Sequence, residues 1–567
     1  RVRGEALPVH VVRKKEHLYA RIPPVLRPEH PTPRAVSELA NAFGLRVVGS
    51  VDSIETTGVT LSATEVQPGD LFVGVHGANR HGAQFATEAA ERGAVAVLTD
   101  QDGVALVEPS GLPVLVVDDP RAALGDVAAW VYRTHPDEAT DLPQLFAVTG
   151  TNGKTSTSYI LEGILKQLGL VTGLSSTAER HIGSLSVTSR LTTPEASEMH
   201  ALLARMRESE VRAVAVEVSA QALSRHRVDG IVFDVAAFTN LSHDHLDDYA
   251  DMEEYYQAKL PLFQPEHARR GVVSLDTDWG HRVVQDSRIP VTTITVHPDV
   301  EAEWHVDIVE AHAAYTEFRL TGPEGRELTT RVPLIGWHMA ANAALAIVML
   351  VEGGFELGAI AHALESNHRR YPDEDGSGDR ERDGASERVS AIECYLPGRT
   401  ERVSGEHGPS VYVDFGHSAD AFENTLAAVR QFTAGKVLML FGADGDRDTT
   451  KRGDMARVAA AGSDILVVTD HHPRFEDAAS IRKTLVDAAR AAYPDHEIHE
   501  VSPPEAAIRT AVSLVGEGDS ILWAGPGHQD YRDIQGVRTP YSARDEARQA
   551  LREAGWEPNS GPSEEIR

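Results

Sequence analysis

The sequence contains a single cysteine, Cys394, among its 567 residues. One cysteine cannot form an internal disulfide, and it excludes a zinc site built from several cysteines. We expect its side chain to be a small buried apolar group rather than a nucleophile. No apolar stretch reaches the roughly 18 residues that a membrane-spanning helix needs. We find no secretory signal pattern, although the sequence begins at Arg1 and not at Met, and we expect a cytoplasmic protein.

Basic residues are few compared with acidic ones. The chain has 54 Lys and Arg against 85 Asp and Glu, which gives a formal net charge of −31 at pH 7. Because phosphate backbones need basic surface, this charge argues against nucleic-acid binding. It does not argue against a phosphorylated small molecule, since single loops of an acidic protein can be positive. The length predicts roughly three or four domains, and we expect a monomer.

The most informative motif is a glycine-rich turn between an apolar run and a helical pattern. Residues 145–148 are apolar and predict a buried strand, and residues 159–168 repeat apolar side chains at helical spacing. Between them stands Gly150-Thr-Asn-Gly-Lys-Thr155. Backbone amides at a helix start favour an anion, Lys154 can reach a β- or γ-phosphate, and the Thr155 hydroxyl can hold Mg²⁺. The motif predicts nucleotide binding, although Val148 stands where the general pattern has glycine; a turn with an exposed lysine is the alternative.

Alternating apolar runs and helical patterns predict an α/β protein of three domains. We place their bounds at 1–140, 141–395 and 396–567, with an irregular Pro-rich lead-in at 1–35. Residues 371–388 are dense in charge and poor in apolar side chains, which predicts a disordered loop. In the last domain, apolar runs separated by helical patterns predict a parallel, doubly wound sheet with strands at 411–415, 437–441, 465–468 and 521–524.

Polar side chains follow two further predicted strands, at the sheet edge where doubly wound folds bind ligands. Glu217 lies in the run 214–219 and is placed to ligate a metal beside the glycine-rich turn; an acid without a role is the alternative. His243, Asp244 and His245 cluster after the run 235–240. Mg²⁺ prefers oxygen ligands, so an imidazole would be an unusual one. Lys259 follows on a predicted helix, where a surface lysine is the alternative.

Together these motifs resemble the Mur ligases, most closely the branch that adds the third peptide residue of peptidoglycan precursors. In the central domain the matching segments are Gly150-Thr-Asn-Gly-Lys-Thr155, Glu217-Val-Ser219, Thr239-Asn-Leu-Ser242, Asp244-His-Leu-Asp247 and Tyr256-Gln-Ala-Lys259. On either side of it, the matching segments are Pro68-Gly-Asp-Leu-Phe72, Gly398-Arg-Thr-Glu-Arg-Val403, Asp414-Phe-Gly-His417 and Gly525-Pro-Gly-His528. The likeness covers almost the whole chain.

The resemblance implies an N-terminal UDP-substrate-binding α/β domain, a central P-loop ATPase domain with a parallel sheet, and a C-terminal Rossmann-like domain. It implies an ATP-dependent ligase whose partners are ATP, UDP-N-acetylmuramoyl-L-Ala-D-Glu and a free amino acid. ATP would convert the D-Glu side-chain carboxylate into an acyl phosphate, which the amine of the amino acid attacks. A carboxylate is a poor acyl donor, so activation has to come first. The implied cofactors are ATP and two Mg²⁺ ions that screen the anionic reactants.

The resemblance also implies roles for individual residues. The catalytic set is Lys154, Glu217, His245 and Lys259, and the metal ligands are Thr155, Glu217, His245 and a carbamylated Lys259. ATP contacts are implied at Gly150, Thr151, Asn152, Gly153, Lys154, Thr155, Ser156, His338, Asn342, Arg399, Asp414 and His417. Contacts to the UDP-linked substrate are implied at Thr192, Thr193, Ser219, Arg225 and Arg227. Contacts to the amino acid are implied at Arg452, Asp470, His472, Arg474, Gly525 and Gln529.

The sequence departs from the family pattern in its substrate-binding segments. Ser62-Ala63-Thr64 replaces Asp-Ser-Arg on the uridine side, Asp470-His-His-Pro-Arg474 replaces Asp-Asn-Pro-Arg, and Gly525-Pro526-Gly-His-Gln529 replaces Gly-Lys-Gly-His-Glu. Arg474 suits the second carboxylate of meso-diaminopimelate through a bidentate pair. Gln529 is neutral where a glutamate would hold a side-chain ammonium, although Asp530 is adjacent. We favour meso-diaminopimelate, with L-lysine or another diamino acid as the alternative.

Three other functions compete with this ligase. A non-catalytic paralogue that binds nucleotide-linked muropeptide fits the changes at 62–64, 526 and 529, but not the retained Lys154, Thr155 and Glu217. An NTPase that drives motion or transport leaves the C-terminal motifs unexplained. A folylpolyglutamate-type ligase would lack the segment at 68–72.

Overall fold

The structure, a computed structural model, describes residues 25–244, 248–366 and 389–561. Several sequence predictions therefore lie outside the described residues: most of the lead-in, the charged segment 371–388, and the ligand candidate His245 with its neighbour Asp247. Within the described ranges, no helix is both long enough and apolar enough to cross a bilayer.

Short strands and helices alternate in the N-terminal domain. Its elements are β1 Arg34–Ala35, α1 Val36–Ala42, β2 Arg46–Val48, β3 Glu55–Thr56, β4 Gly58–Thr60, β5 Asp70–Val73, α2 Ala86–Glu91, β6 Ala96–Thr99, α3 Val104–Val107, β7 Val114–Val116 and α4 Pro120–Tyr132. Five strands form a sheet in the order β2-β7-β6-β5-β4, and only the β2–β7 pair is antiparallel. The apolar runs of this domain therefore form the small α/β unit that the sequence predicts.

The central domain is built on an eleven-stranded sheet. Its strands are β8 Gln144–Thr149, β9 Thr172–Ser175, β10 Glu179–Ile182, β11 Leu185–Thr188, β12 Ala213–Glu217, β13 Phe233–Phe238, β14 Ala268–Ser274, β15 Val291–Thr295, β16 Trp304–Ala311, β17 Thr316–Thr321 and β18 Glu327–Val332. Its helices are α5 Lys154–Gln167, α6 Ala196–Glu208, α7 Ala220–Ser224, α8 Met252–Lys259, α9 Asp278–Asp286, α10 Trp337–Glu352 and α11 Leu357–Ser366.

The middle of this sheet is parallel and both of its edges are antiparallel. The order is β11-β10-β9-β12-β8-β13-β14-β15-β16-β17-β18, with parallel pairing from β9 to β16. Residues 145–149 of β8 are all buried, as expected for a strand covered by helices on both faces. Helices α5 and α10 pack on one face, through Ile160, Ile164 and Ile347 among others. Helices α6, α7 and α8 contribute to the core on the other face.

The C-terminal domain contains a six-stranded sheet in which five neighbouring strands are parallel. Its strands are β19 Glu401–Arg402, β20 Ser410–Asp414, β21 Val437–Phe441, β22 Ile465–Val468, β23 Glu497–Glu500, β24 Ser520–Ala524, and a separate hairpin, β25 Tyr531–Ile534 and β26 Val537–Pro540. Its helices are α12 Ala419–Phe432, α13 Arg452–Gly462, α14 Ala478–Ala492, α15 Pro504–Ser513 and α16 Ala543–Glu553. The order β19-β20-β24-β21-β22-β23 confirms the predicted doubly wound sheet.

The central and C-terminal domains face each other across a cleft of about 2040 Å³. Residues of α5, of the loop after β9 and of β10 and β11 lie on the central side, and residues that follow β22 and β24 lie on the other side. Carboxyl ends of parallel strands are where such folds bind ligands. The motifs of the two domains meet beside this cleft, where Arg399 contacts Thr155 and Asn152 contacts Asp420.

Candidate active site

The glycine-rich turn after β8 has a backbone shape that only glycine allows at two positions. Gly150 has φ +147°, and a Cβ there would lie 1.8 Å from Thr239 Oγ1. Gly153 has φ +88°, and a Cβ there would lie 2.7 Å from the Oδ1 atom of Asn342. Helix α5 begins directly after Gly153, at Lys154. The turn is therefore a close-packed cradle at a helix N-terminus, which is the arrangement that binds phosphate.

Thr151 and Asn152 are fixed to the loop that follows β13. Their amides donate to Asn240, at 3.0 Å to the carbonyl oxygen and 2.9 Å to Oδ1. The Asn152 side chain also donates to Asp420 of the C-terminal domain at 3.0 Å. Thr155 and Ser156 are buried in the first turn of α5. The ATP residues predicted between 150 and 156 therefore form one continuous surface.

Two lysines donate to the same carbonyl oxygen of this turn. Lys154 Nζ lies 2.8 Å and Lys259 Nζ 3.1 Å from the oxygen of Gly150. Lys259 is only 2% exposed, so the alternative of a surface lysine is wrong. Burial lowers the pKa of Lys154, and burial together with the charge of Lys154 lowers the pKa of Lys259 well below its usual range. Lys259 therefore carries a neutral, nucleophilic amine more readily than an ordinary lysine.

Glu217 ends β12 inside the protein, with no exposed surface. Its carboxylate accepts from the amide of Thr177 at 3.1 Å and from the Thr177 hydroxyl at 2.9 Å. The Thr177 Oγ1 atom also lies 3.1 Å from Thr192 Oγ1, and Thr193 donates to the Glu217 carbonyl at 2.8 Å. The predicted substrate threonines and the predicted metal ligand therefore share one hydrogen-bonded group. Sequence reasoning missed Thr177, because no motif marks it.

The structure brings two of the other predicted substrate residues to this group and leaves one outside it. Ser219 caps α7, since its Oγ accepts from the amide of Ala222, and its own amide lies 3.3 Å from Thr193 Oγ1. The buried Arg227 donates to the Thr193 carbonyl at 3.4 Å and pairs with Glu195 at 3.2 Å. Arg225 is exposed on the surface after α7.

Arg399 reaches from the C-terminal domain to the glycine-rich turn. Its Nη2 donates to Thr155 Oγ1 at 2.9 Å, and its guanidinium lies 4.3 Å from the ring centroid of Phe415. Burial lowers the pKa of Arg399. Arg399 thus contacts the glycine-rich turn and joins the two domains through this hydrogen bond, and its contact with ATP stays a prediction.

His417 and Lys451 meet the central domain at Asp244. Lys451 Nζ lies 2.9 Å from Asp244 Oδ1, and His417 Nε2 lies 3.8 Å from Asp244 Oδ2. Burial and the charge of Lys451 lower the pKa of His417. The Asp244 carboxylate therefore joins the two domains. Sequence reasoning had assigned no role to this residue.

Asp414 and His338 lie near the same boundary. Asp414 accepts from the amides of Thr400 and Gly416, each at 2.8 Å, so its oxygens order the loops on both sides of it. Burial lowers the pKa of His338 to about 4. A ribose contact of Asp414 stays a prediction.

The predicted amino-acid residues separate into two groups. Arg474, His472 and Gln529 line the cleft. Asp470 instead pairs with Arg482 and accepts from Ser502. Those bonds hold the segment that carries the cleft residues.

Arg452 and Gly525 also have structural contacts. Arg452 is buried and binds the Glu476 carboxylate at 3.0 Å and the carbonyl of Asp444 at 2.7 Å. Gly525 has φ +115°, and its amide donates to the Asp414 carbonyl. Their roles in binding the amino acid stay predictions.

A buried ionic network below the cleft was also missed from the sequence. His181 Nδ1 lies 2.8 Å from Glu162 Oε2, and its Nε2 lies 3.1 Å from Glu179 Oε2, which also accepts from Tyr159. Burial opposes a charged ring, but the bonds to both carboxylates outweigh it and raise the pKa of His181 to about 9. The network ties α5 to β10, next to the loop that holds Thr177.

Comparison with known proteins decides the family. Three family descriptions match successive parts of the chain: "Mur ligase family, catalytic domain" at residues 55–132, "Mur ligase middle domain" at 148–350, and "Mur ligase, glutamate ligase domain" at 398–527. A protein of Leifsonia xyli subsp. xyli named UDP-N-acetylmuramyl-tripeptide synthetase is 59% identical, over 94% of this chain and 99% of its own length. The chain belongs to the Mur ligase family. It is an ATP-dependent ligase, as members of this family are.

Two further comparisons agree with this assignment. A protein of Streptomyces coelicolor named UDP-N-acetylmuramoyl-L-alanyl-D-glutamate--2,6-diaminopimelate ligase is 40% identical, over 93% of this chain and 98% of its own length. A solved structure of a ligase with the same name matches the fold with a TM-score of 0.61 at 22% identity, over 91% of this chain and 99% of that chain. The three-domain α/β architecture of this Mur ligase is therefore the one predicted.

Proposed function

We propose that this Mur ligase joins a diamino acid to the D-Glu side-chain carboxylate of UDP-N-acetylmuramoyl-L-Ala-D-Glu, in the cytoplasmic synthesis of peptidoglycan precursors. The terminal phosphate of ATP passes to that carboxylate, ADP leaves, and the amine of the amino acid attacks the acyl phosphate. An amide forms and inorganic phosphate departs. Two negatively charged reactants must meet in this reaction, so the site has to supply positive charge.

The glycine-rich turn and Lys154 supply the first part of that charge. The N-terminus of α5 and the Lys154 ammonium, which already lies against the Gly150 carbonyl, are placed to hold the β- and γ-phosphates. Arg399 adds a guanidinium from the opposite domain at Thr155. Domain closure then excludes water, which would otherwise hydrolyse the acyl phosphate.

The residues present fit Mg²⁺. Thr155 offers a hydroxyl and Glu217 a fully buried carboxylate, which are the oxygen ligands that Mg²⁺ prefers. Mg²⁺ held by these residues would supply positive charge that neutralises the phosphates. A second ion would use His245 and the modified Lys259.

Lys259 is suited to carbamylation by its surroundings. A neutral lysine amine forms an N–C bond with CO₂ and releases one proton, which yields a carbamate with two oxygen atoms. Burial lowers the pKa of Lys259 well below its usual range, which favours the neutral amine, and its Nζ lies 3.1 Å from the Gly150 carbonyl oxygen of the phosphate cradle. The carbamate would add negative oxygen ligands where the ammonium has none.

The amino acid that we favour is meso-diaminopimelate, with L-lysine or a similar diamino acid as the alternative. Arg474 lines the cleft and can hold a second carboxylate by two parallel hydrogen bonds. The Streptomyces coelicolor relative carries 2,6-diaminopimelate in its name, while the Leifsonia xyli relative names no amino acid.

The observation that carries the proposal is the meeting of Lys154, Lys259 and Arg399 at one turn, beside the Thr177-bound Glu217. The test is phosphate release from ATP and Mg²⁺ across a panel of amino acids, with and without the UDP-linked dipeptide. We expect release only when the dipeptide and an accepted amino acid, meso-diaminopimelate first among the diamino acids, are both present. Binding of the dipeptide without release for any amino acid would instead support a non-catalytic paralogue.

A further inference from the structure

Two residues that depart from the family pattern touch each other in this chain. His472 Nε2 lies 2.7 Å from Gln529 Oε1, although the residues are 57 positions apart. His472 Nδ1 accepts a hydrogen bond from the backbone amide of Asp533 at 2.9 Å. An accepting Nδ1 carries no proton, so the proton of the neutral ring is on Nε2, which donates to Gln529. Burial keeps the ring neutral by lowering the pKa of His472.

This contact fixes which end of the Gln529 amide is available. One lone pair of its oxygen accepts from His472, which turns the NH₂ group, a double donor, away from His472 and leaves it for a ligand. The ring of Tyr531 stacks on His472 with centroids 5.3 Å apart, which holds the imidazole in place. Gln529 therefore presents its NH₂ donors in the cleft that it lines.

Arg474 belongs to the same wall of the cleft. Among the described residues, its buried Nε has no hydrogen-bond partner, and its Nη2 lies 3.8 Å from Asp444 Oδ2. A guanidinium nitrogen without a partner and an amide NH₂ are both donors that a carboxylate satisfies.

The carboxylates on this wall are placed less well to hold an ammonium group. Asp533 accepts from the amide of Gly536 at 3.1 Å, and Asp444 is turned toward Arg474 and His471. Asp530 is exposed at the mouth of the cleft. Gln529 and Arg474 are thus side chains on this wall that can donate to a carboxylate.

We propose that Gln529, oriented by His472, binds the distal carboxylate of the incoming amino acid together with Arg474, and that this chain does not require a second ammonium group on that amino acid. The inference rests on the proposed ligase function. It assigns His472 as a positioning residue and Gln529 as a specificity-determining residue. The substrate class is an α-amino acid with a second carboxylate at the far end of its side chain.

The decisive experiment compares three amino acids with the full-length chain, ATP, Mg²⁺ and the UDP-linked dipeptide. They are meso-diaminopimelate, L-2-aminopimelate (the same carbon chain with both carboxylates but without the distal ammonium) and L-lysine. We expect kcat/KM for the first two to agree within about threefold, and L-lysine to be lower by about tenfold or more, because it leaves the donors unpaired. If meso-diaminopimelate is turned over but L-2-aminopimelate is not, or if L-lysine is preferred, the inference is overturned. The proposed ligase function is still supported in either case. No turnover with any amino acid overturns both.

Variants separate positioning from structural damage. Gln529→Glu places a carboxylate in the pocket, and we expect it to favour diaminopimelate over aminopimelate by about tenfold or more. Gln535→Glu makes the same chemical change at the exposed tip of the β25–β26 hairpin, and we expect the ratio to stay unchanged. His472→Ala should raise KM for the diacids with kcat little changed, since it frees the Gln529 amide to rotate. A ratio unaffected by Gln529→Glu, or a His472→Ala variant that loses kcat at unchanged KM, contradicts the assignment.

Discussion

Replacing His181 with glutamine is expected to destabilise the central domain in a way that depends on pH. The imidazolium lies between Glu162 and Glu179, which raise its pKa from 6.5 to about 9 in the folded protein. A group whose folded pKa is raised stabilises the fold fully below its unfolded pKa, and that contribution disappears as the pH rises through the folded pKa. Stability from His181 is therefore present at pH 6.5 and lost through pH 9.

The magnitude follows from the two pKa values. The charged ring contributes about 2–3 kcal/mol at pH 7 and less than about 1 kcal/mol at pH 9. For a domain of this size the difference at pH 7 corresponds to a lowering of Tm by about 5–10 °C. The bond between the ring and Glu162 is buried, so solvent screens it little, and the bond to Glu179 is partly buried.

The assay is thermal and urea unfolding of the wild-type chain and His181→Gln across pH 6.5 to 9.5. Because a three-domain protein can unfold in steps, the transition of the central domain is compared between the two proteins. The exposed His281 on α9 supplies the matched control: His281→Gln should show no pH-dependent difference. A His181→Gln deficit of equal size at pH 7 and pH 9.5 would refute the charged network, since the loss would then come from packing alone.

Three further predictions concern the reaction. Lys154→Ala should reduce turnover by more than about 100-fold, because a phosphate-binding cation is lost, whereas Lys166→Ala on the same helix should retain it; near-normal phosphate release from Lys154→Ala would contradict the site. Arg474→Ala should raise the KM for the amino acid by about tenfold or more and spare ATP binding; an unchanged KM would place the pocket elsewhere. If Lys259 is carbamylated, wild-type enzyme depleted of CO₂ should lose activity and regain it when bicarbonate is added. Activity that does not depend on CO₂ would argue against the modification.

The sequence predicted the parts of this molecule that depend on local patterns. Continuous apolar runs predicted β8 and β20–β22, because a strand buried on both faces has no polar side. The glycines at 150 and 153 predicted a phosphate cradle. The structure shows why glycine is needed there, because both positions have positive φ and tight surroundings. Glu217 was predicted at a strand end because carboxyl ends of parallel strands gather ligands.

Contacts between distant segments could not be predicted in this way. The bond from Arg399 to Thr155 joins positions 244 residues apart. The His472–Gln529 contact joins two loops, and nothing in the sequence of either loop indicates that it contacts the other. The antiparallel edges of the central sheet were missed too, because strands such as Leu185–Thr188 are short and exposed and lack a continuous apolar run. Such features depend on how the domains close and pack.

The most direct measurement of the central claim follows an oxygen atom. The D-Glu side-chain carboxylate of the UDP-linked dipeptide is labelled with heavy oxygen, and phosphate released in the presence of ATP, Mg²⁺ and the amino acid is examined by mass spectrometry. The acyl-phosphate route transfers one labelled oxygen from the carboxylate to each phosphate, with one ADP and one amide formed per event. Release of unlabelled phosphate, with the carboxylate still fully labelled, would contradict the mechanism. It would mean that ATP is hydrolysed without activation of the dipeptide.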